Sequence, residues 1–270
     1  MAAAVGRTDD ATRYRAQSEE AKAAFQRDFI LPDGSIKESS QTGYALAFTM
    51  DLVPAELRTK VAEKFVEEIQ KRDWHLATGF IGTPRLLPGL HLAGRDDVAY
   101  RLLLQETFPS WLFPVKNGAT TVWERWDGWT PDKGFQTISM NSFNHYAFGS
   151  VAEYLYRQVA GIDSDGPGYR KIVIRPAVAA GLTNARAAYA SVAGRIESAW
   201  RIENGRIHLD VTVPPNTTAT VFVPAVAPDK VTEGGQPAAR ARGVAQLSAE
   251  NGAAVFRVGS GQYRFESQLP

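Results

Sequence analysis

The sequence predicts two domains in tandem: a helical domain over residues 1–162, then an antiparallel β-sandwich over residues 167–270. Three observations predict this α-then-β arrangement. Apolar residues recur at helical spacing as far as Val159. From Tyr169 onward they alternate with a period of two. Between the two textures lies Asp163-Ser164-Asp165-Gly166-Pro167-Gly168, a run of turn-forming residues.

The elements follow in order. Met1–Val5 reads as the last turn of a helix, closed by Gly6, so the chain is expected to begin part-way through a larger fold. Residues 9–29 form the first clear helix. Thr8 is its expected N-cap, with Asp9 and Asp10 in the first turn and Ala21, Phe25 and Phe29 at i+4 spacing. Leu31-Pro32-Asp33-Gly34 ends it with turn chemistry. Gln41–Leu52 is a second helix, apolar all round and so expected to be buried. Pro54 opens a third, whose stripe is Leu57, Val61, Phe65 and Ile69. Thr78–Pro84 is a glycine-punctuated loop. Leu86–Ala93 and a segment starting at Asp96-Asp97 are the fourth and fifth helices. Residues 107–140 are irregular and rich in aromatic residues. A loop that long inside a packed domain points to function. A sixth helix is expected from Asn141-Ser142 to Val159, ending at Gly161.

Seven strands are expected beyond that point, around Ile172–Ile174, Ala187–Ser191, Ile196–Ile202, Ile207–Val213, Thr220–Val223, Ala254–Val258 and Tyr263–Phe265. Asn204-Gly205 between two of them signals a tight hairpin. Short strands with turn signals between them are the pattern of a sandwich.

Composition excludes several functions. With 44% apolar residues, 22% charged residues and a net charge of +1, the chain carries no basic excess for nucleic acid or anionic lipid. No segment reaches the ~18 apolar residues of a membrane span. The N-terminus lacks the regions of a signal peptide, so a cytoplasmic protein is expected. The absence of cysteine removes disulfides, thiolate metal sites and cysteine nucleophiles. His75, His91, His145 and His208 are not paired at ligand spacing, and 163–168 has only part of a calcium loop, so no metal and no cofactor is expected. No GxSxG elbow or phosphate-cradling loop is present. Carboxylate chemistry is what remains.

The candidate site is residues 120–146. Glu124 lies between Trp123 and Trp126, with Asp127 and Trp129 close behind and His145 downstream. A carboxylate among indoles suits a sugar hydrolase, in which the acid group handles a proton or a water and the rings stack on a pyranose. A buried tryptophan cluster with a surface Glu124–Arg125 ion pair fits the same residues. Asp127 suits an orienting role better than a catalytic one, because two carboxylates serving opposite faces of a sugar usually come from different segments. His145 alone is compatible with a site role or a structural one.

Several separated motifs carry a resemblance. ATTVWERWDGW, SMNSFNHYAFGSVAEYLYRQVAGI and PGYRKIVIRP, preceded by QTGYALAF, ATGFIGTPRLLPGL and DDVAYRLLLQETFPSWLFPV, resemble the C-terminal part of bacterial α-L-rhamnosidases of glycoside hydrolase family 78. The resemblance implies a partial (α/α)6 toroid of antiparallel helix pairs followed by the sandwich, and hydrolysis of terminal α-L-rhamnosides with inversion. It places the general base on Glu124 and a sugar contact on His145; beside them, the indoles of Trp126 and Trp129 are the rings expected to bind substrate. The family's general acid lies in a segment of pattern D-C-P-x-R-x-E-R-x-G-W-x-G-D, which is absent from these residues.

The chain is therefore expected to carry the base half of a site for a rhamnosylated glycoside or oligosaccharide, and to be weakly active or inactive alone. About six helices stand where the full toroid needs twelve, so pairing with a complementary polypeptide, self-association or poor solubility is expected. Two other readings compete: a non-catalytic carbohydrate-binding remnant, and another (α/α)-barrel glycoside hydrolase, including a self-sufficient one using Glu124 with Asp127.

Overall fold

Helix α1 (Thr8–Phe29) starts one residue before its expected position. Arg7 occupies the cap, and Thr8 is the first helical residue, its carbonyl accepting from the Thr12 hydroxyl at 3.1 Å. Asp9 and Asp10 lie in the first turn, and Arg7 pairs with Asp10 at 2.7 Å. Upstream, Ala2–Val5 is a 3-10 turn closed by Gly6 at φ 77°. Phe25 and Phe29 stack with centroids 5.3 Å apart, yet no residue of α1 is buried. This computed structural model describes all 270 residues, which divide into two units, Met1–Ser150 and Val151–Pro270.

In the first unit the core forms around α2 (Gln41–Thr49), α3 (Arg58–Gln70), α4 (Thr83–Leu92) and α5 (Asp96–Leu103). Ser40 caps α2, its hydroxyl accepting from the Gly43 N–H at 3.1 Å. Tyr44, Ala45, Ala47 and Phe48 are buried, as an apolar-all-round helix requires. Val61, Phe65 and Ile69 of the predicted α3 stripe are buried, while Leu57 is half-buried. Tyr44 and Phe48 both stack on Phe65, at 5.6 and 6.1 Å. Gly89 of α4 meets Ala45, where an added Cβ would lie 3.0 Å from the Ala45 Cα. Gln41, buried at the start of α2, accepts from the Ala77 N–H at 2.7 Å and donates to the His75 carbonyl at 2.9 Å, fixing the segment that leads into the glycine loop.

Residues 107–150 hold short elements: α6 (Leu112–Lys116), a hairpin of β1 (Trp129–Thr130) and β2 (Gly134–Phe135), and α7 (Tyr146–Gly149). The single helix expected over 141–159 is not formed. His145 is the N-cap of α7, and residues 141–145 are committed instead to hydrogen bonds with 121–128, which an extended segment can make and a helix cannot. In the second unit the chain continues as α8 (Val151–Tyr154) and a wider π-helical turn, Leu155–Val159.

The rest of the second unit is a sandwich. One sheet has the order β10-β9-β13-β7-β6-β5 and the other β11-β12-β8-β4-β3. The strands are β3 (Ile162–Ser164), β4 (Lys171–Ile174), β5 (Asn184–Ser191), β6 (Gly194–Glu203), β7 (Arg206–Val213), β8 (Thr218–Pro224), β9 (Thr232–Glu233), β10 (Gln236–Pro237), β11 (Val244–Glu250), β12 (Ala253–Val258) and β13 (Gly261–Gln268). Every pairing is antiparallel except β4 with β8, which run parallel. Alternation sends Ile196, Trp200, Ile207, Leu209 and Phe265 from one sheet and Ile172, Ile174, Val221 and Phe256 from the other into a shared core. Asn204 and Gly205 both adopt positive φ, 51° and 73°, which is the two-residue turn their sequence predicts. Trp200 donates its indole N–H to the Val159 carbonyl at 2.7 Å, and the buried Ser198 hydroxyl donates to the Ala160 carbonyl at 2.6 Å.

Candidate active site

Two extended segments build the site. The Glu124 N–H donates to the Ser142 carbonyl at 2.8 Å, and the His145 N–H donates to the Val122 carbonyl at 2.8 Å. The Thr121 hydroxyl adds a bond to the Phe143 carbonyl. Residues 121–124 and 142–145 are thus laced together, and the β1–β2 hairpin is the excursion that closes them. Its base is fixed at Gly128, whose carbonyl accepts from the Asn141 side-chain amide at 2.8 Å and from the Gln136 N–H at 3.1 Å.

This lacing brings Glu124 to His145. One carboxylate oxygen, Oε2, accepts from the Ser142 N–H at 2.8 Å. The other, Oε1, lies 3.9 Å from His145 Nε2. The His145 Nδ1 accepts from the Ala147 N–H at 3.2 Å, capping α7, so a neutral imidazole carries its proton on Nε2, toward Glu124. Side-chain exposure is 13% for Glu124 and 20% for His145, so both are sheltered yet reachable.

Aromatic rings fix these groups. The His145 ring is stacked against Phe80 at 4.9 Å and Tyr146 at 5.1 Å. Phe80 comes from the glycine-punctuated loop and also meets Phe148 edge-on at 5.6 Å. Trp126 lies flat on Phe148, with centroids 3.8 Å apart and a 3° interplanar angle, and takes the edge of Trp111 at 5.4 Å. Trp111 donates its indole N–H to the Phe148 carbonyl at 3.0 Å. Trp123 is buried against Phe143 at 4.9 Å. Trp129 is half-buried in β1 opposite Phe135 and joins none of these ring stacks.

The ion pair Glu124–Arg125, one reading of the sequence, is not formed. Arg125 instead grips Asp127 through two hydrogen bonds, of 3.0 and 3.2 Å. Those bonds, with the charge of Asp127 beside it, hold the Arg125 guanidinium above its ordinary pKa. Asp127 is thereby engaged within its own turn. No group of three or more His, Asp or Glu side chains is placed to hold a metal ion.

Phe80, Trp111 and Phe148 were not singled out as site residues from the sequence. Phe80 had a signal, an aromatic ring set between Gly79 and Gly82. The backbone N–H of Ser142 had none.

The profile of the bacterial alpha-L-rhamnosidase 6 hairpin glycosidase domain matches residues 1–159. The chain belongs to the bacterial α-L-rhamnosidase family. The C-terminal domain of the same family matches residues 161–237. An α-L-rhamnosidase of Streptomyces avermitilis is 48% identical over 267 residues, covering 98% of this chain and 25% of that protein. One from Formosa agariphila is 39% identical over 222 residues, covering 82% of this chain and 24% of that protein. Among solved structures, the S. avermitilis α-L-rhamnosidase complexed with L-rhamnose superposes with a TM-score of 0.90 at 47% identity, covering 98% of this chain and 25% of that one. The native Aspergillus terreus rhamnosidase gives 0.85 at 31% identity, with coverages of 99% and 28%. The chain therefore spans about a quarter of the length of the rhamnosidases it matches. In this chain a helical six-hairpin domain precedes a sheet-rich C-terminal domain. No helix is long and apolar enough to cross a membrane.

Proposed function

We propose that this chain supplies the general-base half of an inverting α-L-rhamnosidase, with Glu124 as the base. The observation that carries the proposal is the asymmetry of its carboxylate. Oε2 is held by the Ser142 N–H, while Oε1 faces His145 in an aromatic, partly sheltered setting. In this role Oε1 takes a proton from a water as the water oxygen bonds to the anomeric carbon. The bond to the departing oxygen breaks on the opposite face, and configuration inverts. His145, with its Nε2–H directed at the same space, donates to a sugar hydroxyl. Trp126 and Trp129 provide ring surface for the sugar. The departing oxygen needs a proton from a second carboxylic acid, which we assign to a polypeptide segment outside these residues, in a longer chain or a partner. In this reading residues 1–162 are the catalytic portion and 167–270 the accessory sandwich.

The test is Glu124→Gln in the protein that contains the acid-bearing segment. Glutamine keeps an acceptor for the Ser142 N–H, so the fold is expected to survive. Release of the aryl alcohol from an aryl α-L-rhamnoside is expected to fall by about 10²–10⁴, or ~2.7–5.5 kcal/mol in barrier. Asp127→Asn is expected to cost much less. Undiminished turnover in Glu124→Gln, or an equal loss in Asp127→Asn, overturns the assignment. A second reading, in which the chain binds a sugar without turning it over, rests on the ring-lined setting of His145 and Trp126. Calorimetry with L-rhamnose on an assembly that fails to hydrolyse the aryl rhamnoside distinguishes it.

A further inference from the structure

The second unit contains an aromatic cavity that the hydrolytic proposal does not use. It has a volume of about 430 Å³ and is lined by Glu153, Tyr156, Arg157, Ile162, Tyr169 and Tyr189. That volume is within the range of small-ligand sites, about 300–1,000 Å³. Ile162, only 1% exposed, is its apolar floor. Tyr156 and Tyr189 are 42% and 39% exposed, so two ring surfaces face solvent. Tyr169 and Tyr189 have centroids 4.6 Å apart at an interplanar angle of 37°, which makes a wedge rather than a closed stack. The Tyr156 hydroxyl reaches the Ala188 carbonyl at 3.5 Å, tying the helical turn to β5 beside Tyr189.

The backbone is turned to make this wedge. Gly168 and Tyr169 both adopt positive φ, 73° and 55°. A tyrosine in that region is strained by about 1–2 kcal/mol, and here the result is a ring laid against Tyr189. The charged groups beside the wedge are one guanidinium shared by two carboxylates, which leaves one negative charge in excess. Arg157 pairs with Glu153 at 3.1 Å and with Asp163 at 3.3 Å. A cavity of phenol faces and hydroxyls, rimmed by an arginine that two carboxylates share, disfavours an anionic ligand and holds no unpaired cation to attract one. It matches a neutral polyhydroxyl ring, whose C–H faces lie on aromatic rings and whose hydroxyls exchange bonds with phenols and with the Arg157–Glu153 pair.

We propose that this cavity is a second carbohydrate-binding site, in the sandwich-bearing unit, that takes one neutral pyranose unit of a glycan. It stands independently of the role assigned to Glu124.

The experiment labels the tyrosine rings of the whole chain with 13C and titrates methyl α-L-rhamnopyranoside, methyl β-D-galactopyranoside and the anionic D-galacturonate as separate probes. The resonances of Tyr156, Tyr169 and Tyr189 are expected to move together with at least one neutral glycoside, and less with galacturonate. Tyr189→Ala is expected to weaken that binding about ten-fold, the scale of one lost ring contact. Tyr156→Ala, at a more exposed position, is the second variant, and circular dichroism checks that both fold. Glu124→Gln is expected to leave these shifts unchanged. Three outcomes overturn the proposal: no movement of these resonances with either neutral glycoside, movement that both tyrosine variants preserve, or movement driven by protein dilution rather than sugar, which would mean a second copy of the chain occupies the wedge.

Discussion

A single methyl group added at Gly128 is expected to disturb the candidate site from a distance. Gly128 is buried, and a Cβ there would lie 2.7 Å from Asn141 Oδ1, 3.3 Å from Trp123 Cε3 and 3.5 Å from Phe143 Cζ. The last two contacts are tight but tolerable. The first is not, so the Asn141 amide must turn away. That amide donates to the Gly128 carbonyl at 2.8 Å, and its oxygen is already buried without a hydrogen-bond partner. Overpacking costs about 1–3 kcal/mol and the lost hydrogen bond about 0.5–1.5. Gly128→Ala is therefore expected to destabilise the first unit by about 2–4 kcal/mol, or about 4–16 °C in Tm for a unit of this size. Thermal unfolding followed by tryptophan fluorescence measures it, since Trp123 lies at the contact. Asn141→Ala alone should cost only its hydrogen bond, and the double variant should be more stable than the sum predicts by about 1–2 kcal/mol, because alanine at 141 removes the clash. A Gly128→Ala protein within about 0.5 kcal/mol of the parent, or strict additivity in the cycle, refutes this reasoning.

Three further outcomes are expected. Phe80→Ala leaves His145 without one of its two stacking partners. Because Phe80 is 40% exposed, stability should fall by no more than about 1.5 kcal/mol, while rhamnoside hydrolysis by the acid-complemented protein falls at least about ten-fold, a loss that unchanged kinetics would contradict. Trp200→Phe removes the buried bond to the Val159 carbonyl and part of a ring that is 2% exposed. Urea unfolding should show about 2–4 kcal/mol lost, and a loss under about 0.5 kcal/mol counts against the packing described. Burial, followed by the charge of Asp96, raises the Tyr100 phenol, and burial also raises Tyr169 and Tyr263. The folded state thus holds these protons more tightly than the unfolded state. Stability is fully present below the unfolded tyrosine value near pH ~10 and is lost as pH rises through the raised values, so a urea midpoint that stays level or climbs above that pH contradicts the burial.

How much of this could be seen in the sequence depended on whether the signal was local. β6 and β7 were legible because Ile196–Ile202 and Ile207–Val213 alternate cleanly and Asn204-Gly205 joins them. β11 was not, because it lies at a sheet edge with almost every residue exposed, so nothing forced its side chains to alternate. The Asn251-Gly252 turn that follows it, with φ of 49° and 73°, carries the same hairpin signal but lacks an alternating strand on its first side. β3 hid inside the polar run 163–168 because only Ile162 of that edge strand is buried. In the first unit, a helix stripe such as Val61, Phe65 and Ile69 is a periodic signal, and all three residues are buried as their spacing predicts. The Asn-Ser pair at 141–142 imitates an N-cap, and the helix pattern downstream supported it. Only the tertiary demand of residues 121–128 shows that the cap belongs to His145.

The candidate site divides along the same line. Glu124 was conspicuous because its neighbours in sequence are indoles, but its environment is made by residues distant in sequence. Ser142 holds Oε2, His145 faces Oε1, and Phe80 supports His145 from a loop sixty-five residues earlier in the chain. No periodicity links positions 80, 124, 142 and 145, since they meet through backbone hydrogen bonds and ring stacking rather than along one element. Asp127 shows the opposite relation. It was the nearest carboxylate in sequence, yet its hydrogen bonds run to Arg125. A carboxylate held at both oxygens by a guanidinium is poorly placed to deliver a proton to a leaving group, whereas Glu124 keeps one oxygen free of any direct hydrogen bond. Hydrogen bonding therefore separates two carboxylates that are close along the chain: Asp127 is tied into its own turn, and Glu124 keeps Oε1 without a direct hydrogen bond, 3.9 Å from His145 Nε2.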